Sequence, residues 1–172
     1  EQPTNVQAQA IPELLKGKDV VGQSQTGTGK TAAFSLPILE QIDVKDTVVQ
    51  ALILTPTREL AQQVASAMKN FSHDRALKIL TVYGGQSIDR QIQTLKRGVQ
   101  VVVGTPGRII DLLNRKALRL DTLRFVVLDE ADEMLSMGFI DDVREILRQA
   151  PQQRQTACFS ATMPRLIQDL IN

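Results

Sequence analysis

Six short runs of this chain are apolar at consecutive positions rather than alternate ones: Asp19–Gln23, Val48–Leu54, Lys78–Val82, Val99–Val103, Phe125–Leu128 and Thr156–Phe159. A strand with one wet face alternates apolar and polar residues. A β-branched run without alternation belongs in a parallel sheet covered on both sides. Between these runs the period changes to that of a helix. Arg58–Asn70 carries Leu60, Ala61, Val64, Ala65 and Met68 at i, i+3/i+4 spacing. Lys30–Gln41, Ile88–Lys96, Arg108–Arg115, Ile140–Gln149 and Pro164–Ile171 behave similarly. Strand–helix alternation predicts an α/β fold, a mostly parallel sheet with helices on both faces. In such sheets ligands lie beyond the carboxyl ends of the strands, so the strand-to-helix junctions are where chemistry is to be sought.

At 172 residues the chain fits one domain, and 42% hydrophobic residues suffice for a core. No apolar run approaches the 18 residues of a membrane span. The start, Glu1-Gln2-Pro3-Thr4, has no basic or apolar signal segment. One cysteine, Cys158, excludes an internal disulfide and a multi-cysteine metal site, which points to a reducing, cytoplasmic setting. Aromatics at 3% make base stacking an unpromising mode of nucleic-acid binding. Charge is unevenly placed. Arg75–Arg119 holds nine basic and two acidic residues, whereas Leu120–Glu145 holds eight acidic and two basic. Such a pairing suits a polyanion surface beside a carboxylate site, although solvated helix faces would give the same counts.

The junction after the first strand is Ser24-Gln25-Thr26-Gly27-Thr28-Gly29-Lys30-Thr31. Strand, glycine turn, Lys-Thr and helix in succession predict a phosphate-binding loop. Gly27 and Gly29 let the backbone curl until its N–H groups converge on a polyphosphate. Lys30 supplies a point charge, Thr31 offers a hydroxyl to Mg²⁺, and the helix start adds its positive end. Ser24 stands where this pattern usually begins with glycine. Phe125-Val126-Val127-Leu128-Asp129-Glu130 ends a strand in two carboxylates. Taken alone they could simply cap a helix. Beside a phosphate loop, Asp129 suits Mg²⁺ through water and Glu130 suits orienting and deprotonating an attacking water. No Asn-Lys-x-Asp guanine signature follows, which favours ATP over GTP. Pro56-Thr57-Arg58 and Thr105-Pro106-Gly107-Arg108 also stand at strand-to-helix junctions, where free N–H groups, a hydroxyl and an arginine suit phosphate oxygens. Gly84-Gly85 permits close approach of a sugar-phosphate chain. His73, Cys158, Met134 and Met137 carry no such context; the two methionines are expected to pack near Phe139.

Asp129-Glu130-Ala131-Asp132 spells DEAD. With Pro56–Ala61 (PTRELA), Gly84-Gly85, Thr105–Arg108 (TPGR), Ser160-Ala161-Thr162 and the upstream Pro3-Thr4-x-Val6-Gln7, the chain resembles the DEAD-box RNA helicases of bacterial type from Glu1 to Asn172. The resemblance implies a RecA-like P-loop three-layer sandwich. It implies an enzyme, an RNA-stimulated ATPase that couples ATP and Mg²⁺ to RNA binding and local duplex unwinding. Gln7 would read adenine and Thr4 would tie that segment to the phosphate loop. Gln25, Thr26, Gly27, Thr28, Gly29, Lys30 and Thr31 would hold the phosphates. Lys30, Asp129 and Glu130 would be the catalytic set, with Thr31 and Asp129 on the metal. Asp132 would bond Ser160 and Thr162, joining the ATP site to the RNA site. Pro56, Thr57, Arg58, Gly84, Gly85, Thr105, Pro106, Gly107 and Arg108 would take RNA by its backbone, without sequence preference, and the helix after Arg108 would bend the bound strand.

Such helicases use two domains. The His-Arg-x-Gly-Arg-x-x-Arg motif of the second, which supplies arginine fingers, does not occur here, nor does the aromatic that stacks on adenine upstream of the glutamine segment. The expectation is therefore a first RecA-like domain shortened at both ends, nearly inactive alone, whose partners are RNA and a second RecA-like domain of the same polypeptide. Two other classes stay open: a related ATPase that translocates on DNA, and a non-enzymatic RNA-binding module with a degenerate nucleotide site.

Overall fold

A computed structural model describes residues 2–25, 27–73 and 75–172. The order of elements is α1 (Asn5–Leu15), β1 (Val20–Gln23), α2 (Lys30–Gln41), β2 (Ala51–Leu54), α3 (Arg58–Phe71), β3 (Ile79–Val82), α4 (Ile88–Arg97), β4 (Val101–Gly104), α5 (Pro106–Asn114), β5 (Phe125–Asp129), α6 (Ala131–Ser136), α7 (Ile140–Gln149), β6 (Gln155–Ser160) and α8 (Arg165–Ile171). All six expected strands form. They pair in the order β1-β6-β5-β2-β4-β3, and every pairing is parallel.

Why the strand runs do not alternate is visible in the packing. Leu52, Leu54, Val102, Val126, Leu128 and Cys158 point into one apolar cluster, with Ile109 and Leu112 of α5, Val143 and Ile146 of α7 and Ile167 of α8. Ala51, Ile53, Val101, Val103, Val127 and Phe159 point into another, with Leu14 of α1, Phe34 and Ile38 of α2 and Val64 and Met68 of α3. Neighbouring residues of one strand thus serve opposite layers, and both layers are apolar. The expected helix–sheet–helix sandwich follows. No helix among the described residues is long and apolar enough to cross a membrane.

Three local differences from the sequence reading have physical causes. Asn5–Leu15 was not expected as a helix. It starts with a reciprocal capping box, in which the Gln7 N–H donates to Thr4 Oγ1 (3.3 Å) and the Thr4 N–H donates to Gln7 Oε1 (3.1 Å). The short α6 follows directly on β5. Met137 is 45% exposed, against the expected packing, because α6 ends at Ser136 and the chain turns at Gly138 with φ 83°. Met134 is buried as expected.

Close approach fixes Gly104 at the end of β4. A Cβ there would lie 2.6 Å from the Val82 carbonyl oxygen and 2.4 Å from Val82 Cγ2. Gly104→Ala is expected to destabilise the domain by about 1–3 kcal/mol, the usual cost of overpacking, and a denaturant titration measures it. Cys158 lies in the same packed sheet. Desolvation by burial, helped by the charges of Asp132 and Asp129, pushes its thiol up to about 12. The thiolate is the reactive form, so alkylation at neutral pH should follow global unfolding and not a local exposure. Rapid alkylation of the native protein would contradict the burial.

Candidate active site and nucleic-acid face

Because all six strands run parallel, their carboxyl ends share one edge of the sheet. The strand order sorts the junctions into two groups. β1, β6 and β5 end in Ser24–Thr31, Ser160–Thr162 and Asp129-Glu130. β2, β4 and β3 end in Pro56–Arg58, Thr105–Arg108 and Gly84-Gly85. With strands about 4.8 Å apart, the ends of β1 and β5 stand roughly 10 Å apart.

In the first group Gly27 and Gly29 have φ 86° and 81°, the left-handed conformation a curled phosphate loop demands. Gly29 is the N-cap of α2, and no side chain caps that helix. Its first-turn N–H groups have no intrahelical partner, and the helix dipole is positive there. Lys30 and Thr31 open α2. Lys30 is buried, with Nζ 3.1 Å from Asp129 Oδ1 and 3.3 Å from Glu130 Oε1. One ammonium is thus held between both carboxylates that the sequence singles out. Gln25 contributes a carbonyl that accepts from Thr28 Oγ1 at 2.8 Å. Thr26 lies outside the described residues.

Asp129 is wholly buried. Desolvation raises its carboxyl above the ordinary value of 3.8, against the pull of the Lys30 charge. Although Lys30 pairs with it as an ion, neither carboxylate oxygen has a hydrogen bond of good geometry. Buried acceptors left open in this way suit a hydrated Mg²⁺, which takes few protein ligands and keeps several waters. Among the described residues no group of three His, Cys, Asp or Glu side chains could cage a metal. A metal here would rest on Asp129, Thr31 and a bound phosphate. Glu130 sits at the elbow between β5 and α6 with φ 54°, a conformation costly for a residue with a Cβ and concentrated at functional sites.

The Gln7 segment reaches this loop differently from expectation. Gln7 Nε2 donates to the Gly29 carbonyl at 3.1 Å, while Thr4 holds the same side chain through the capping box. The tie to the loop is made by Gln7, with Thr4 one step behind. Between the start of α1 and the loop opens a cleft of about 550 Å³, lined by Thr4, Asn5, Gln9, Ser24, Gln25 and Thr28 among others. At Gly29 a Cβ would stand 2.5 Å from Gln7 Nε2. Gly29→Ala would therefore strain the backbone and break the tether, and nucleotide affinity measured by titration is expected to fall at least about tenfold.

Asp132, Ser160 and Thr162 come together as expected. The Asp132 N–H donates to Ser160 Oγ at 3.0 Å. Asp132 Oδ2 accepts from the Thr162 N–H at 3.1 Å and its hydroxyl at 3.0 Å. Burial raises the Asp132 carboxyl, but the Ser160 and Thr162 hydroxyls and the N–H groups of Thr162 and Glu133 outweigh it and leave the group below its ordinary 3.8. A depressed carboxyl stabilises the fold at every pH above the unfolded value and loses that effect as pH falls through the folded value. This link between α6 and the end of β6 should therefore weaken only below about pH 4.

The second group is differently furnished. Thr57 caps α3 by accepting from the Leu60 N–H at 3.2 Å. Pro56 and Pro106 are buried, whereas Gly84 and Gly85 are exposed, Gly85 with φ 87°. No side chain caps α5; Pro106 has no N–H and the Thr105 N–H donates to the Val82 carbonyl at 3.1 Å, so the open N–H groups at its start are those of Gly107 and Arg108. Arg58 lies over the Tyr83 ring, 5.2 Å from its centroid. Arg108 Nη1 donates to the Gln86 carbonyl at 3.1 Å and to Gln91 Oε1 at 3.0 Å. Tyr83, Gln86 and Gln91 were not singled out from the sequence. The available signal was Gln91, a glutamine on the apolar face of α4 defined by Ile88, Ile92 and Leu95.

A model of the DEAD/DEAH box helicase family matches residues 4–170. The chain belongs to the DEAD/DEAH box helicase family. It is 70% identical over 172 residues to RNA helicase CrhR of Synechocystis, covering all of this chain and 35% of that protein. It is 57% identical over 164 residues to the ATP-dependent RNA helicase CshA of Listeria monocytogenes, covering 95% of this chain and 32% of that one. The chain therefore spans about a third of the length of these relatives. A crystal structure of a DEAD box protein from the hyperthermophile Methanococcus jannaschii superposes with a TM-score of 0.96 at 47% identity, over 99% of this chain and 47% of that one. A hypothetical ATP-dependent RNA helicase from Sulfolobus tokodaii gives 0.91 at 42% identity, over 99% and 50%. The six-stranded parallel sandwich is thus the RecA-like fold of DEAD-box proteins.

Proposed function

We propose that this chain is the ATP-binding, first RecA-like domain of a cytoplasmic ATP-dependent RNA helicase, whose second RecA-like domain lies elsewhere in the same polypeptide. The observation that carries the reading is Lys30, buried between Asp129 and Glu130 at the uncapped start of α2. An incoming triphosphate, more negative than either carboxylate, would draw this lysine toward itself. The loop N–H groups and Thr28 would hold the phosphates. Gln7, bonded to Gly29, would sit beside the base, and its amide can exchange its present partners for an adenine edge. Mg²⁺ would rest on Thr31 and Asp129 and neutralise charge on the phosphates. Glu130, freed from Lys30, would orient the attacking water and take its proton. RNA would lie across Pro56–Arg58, Gly84-Gly85 and Thr105–Arg108, touched through phosphates and sugars. Asp132, Ser160 and Thr162 link the start of α6 to the end of β6 and would carry the state of the ATP site along the sheet edge.

The test is ATP hydrolysis by the full-length protein with RNA or with DNA of matched sequence. RNA should stimulate and DNA should not, and Glu130→Gln should remove the stimulated rate while leaving ATP bound. Equal stimulation by DNA would favour a DNA translocase. Hydrolysis no faster than that of Glu130→Gln would favour a non-enzymatic RNA-binding module. Affinity for single-stranded RNA should fall with salt at a slope of about −0.7 per phosphate contact.

A further inference from the structure

Gln91 is 3% exposed, on the face of α4 that packs into the core. A buried amide is costly unless both its ends are bonded. Here Oε1 accepts from Arg108 Nη1 at 3.0 Å, and Nε2 makes a longer contact of 3.4 Å with the Tyr83 carbonyl. The Tyr83 carbonyl belongs to the residue immediately before Gly84-Gly85. Its ring carries Arg58, and its hydroxyl accepts from Gln62 and Gln86, each at 2.8 Å. Arg108 has few other anchors. Its Nε is buried with no hydrogen-bond partner, and Asp111, 3.7 Å away, is largely exposed.

We propose that Gln91 is a positioning residue of the RNA face: one buried amide sets Arg108 with its oxygen and the Tyr83–Gly85 turn with its nitrogen. It touches no RNA itself. Without it, Arg108 keeps, among the described residues, the Gln86 carbonyl and a weak ion pair, and its guanidinium swings free before RNA arrives. A guanidinium that is free beforehand must be ordered at the binding step, and that cost cancels what its phosphate contact returns, so the contact drops out of the complex. The inference rests on the RNA reading of Arg108 given above.

The experiment uses the full-length protein and a single-stranded oligouridine, with affinity measured across a salt series. Gln91→Met keeps the length and removes the amide. It should weaken binding about tenfold and make the salt slope shallower by about 0.7, the signature of one lost phosphate contact. Gln91→Glu keeps an acceptor for Arg108 and should recover most of the slope, which a merely structural role would not predict. Adding Gln91→Met to Arg108→Ala should cost nothing further. A Gln91→Met protein that binds as the parent does, or a double variant whose losses add, overturns the inference. Unchanged binding by Arg108→Ala would instead overturn the RNA reading beneath it. Nucleotide titration on the same samples identifies a variant that has failed to fold, in which case Gln91→Glu against the parent carries the test through the slope alone.

Discussion

Residues 1–172 alone are expected to hydrolyse ATP about 10³–10⁵-fold more slowly than the full-length protein with RNA bound, a range set by what arginine fingers contribute to this chemistry. Lys30, Asp129 and Glu130 can place the γ-phosphate, the metal and the water. None of them can neutralise the charge that develops on the far side of the transferring phosphoryl group. Among the described residues no arginine pairs with or bonds to Lys30, Asp129, Glu130 or the phosphate loop. The two motif arginines are engaged on the other half of the sheet edge, Arg58 by Tyr83 and Arg108 by Gln86 and Gln91. An open site also stays wet, which weakens every charge interaction in it. RNA should not rescue the fragment if it acts by closing two domains over the nucleotide. Steady-state turnover of residues 1–172, with and without RNA, is the measurement. A rate equal to that of the full-length protein would put the missing cation inside this chain.

Replacing Lys30 should have the second largest effect. Lys30→Ala is expected to weaken ATP binding at least about a hundredfold, within the range for removing one member of a buried charge pair. The phosphates would then face Asp129 and Glu130 with no cation between them. The same change exposes a pH effect of definite sign. Asp129 is already raised by desolvation, and Lys30 is what opposes the rise. Without the lysine the carboxyl climbs further, so the folded state holds a proton that the unfolded state releases. Stability contributed by that proton is complete below the unfolded value of 3.8 and is lost as pH rises through the folded value. Lys30→Ala should therefore cost most stability at neutral pH, and the gap from the parent should narrow on acidification. Melting temperatures of both proteins across the acid range decide it, and a gap that widens toward acid would contradict the assignment.

The strands were legible because burial on both faces leaves short, β-branched apolar runs, too brief for a buried helix. Their order was not, since register and neighbour choice are set by packing that no single run records. That order is what divides the junctions into two groups. Asn5–Leu15 is masked by a double role: Thr4 and Gln7 stand at capping-box spacing and also make up the segment that resembles an adenine reader. In the fold the same two side chains start the helix and fasten it to Gly29. Met137 illustrates the limit of apolar content as a guide, for Gly138 behind it, with φ 83°, stops α6 after six residues and leaves the side chain at the surface. Gln91 and Tyr83 leave no comparable mark in the sequence. Neither lies inside a junction, and their role appears only when α4, β3 and α5 are brought side by side.

The sorting of junctions along the sheet edge also bears on descent. β2, β3 and β4, with α3, α4 and α5, form one unbroken stretch of chain between Ala51 and Asn114, flanked by the nucleotide elements on both sides. Most of the basic Arg75–Arg119 segment lies within it. Two crossovers, one in the loop before β2 and one in the loop before β5, would exchange this whole basic half and leave the phosphate loop, the paired carboxylates and Ser160–Thr162 with their original lineage. On the function proposed above, the nucleotide half and the half offered to RNA could then diverge at different rates, with the β2–β5 pairing and the helices packed across it as the seam between them.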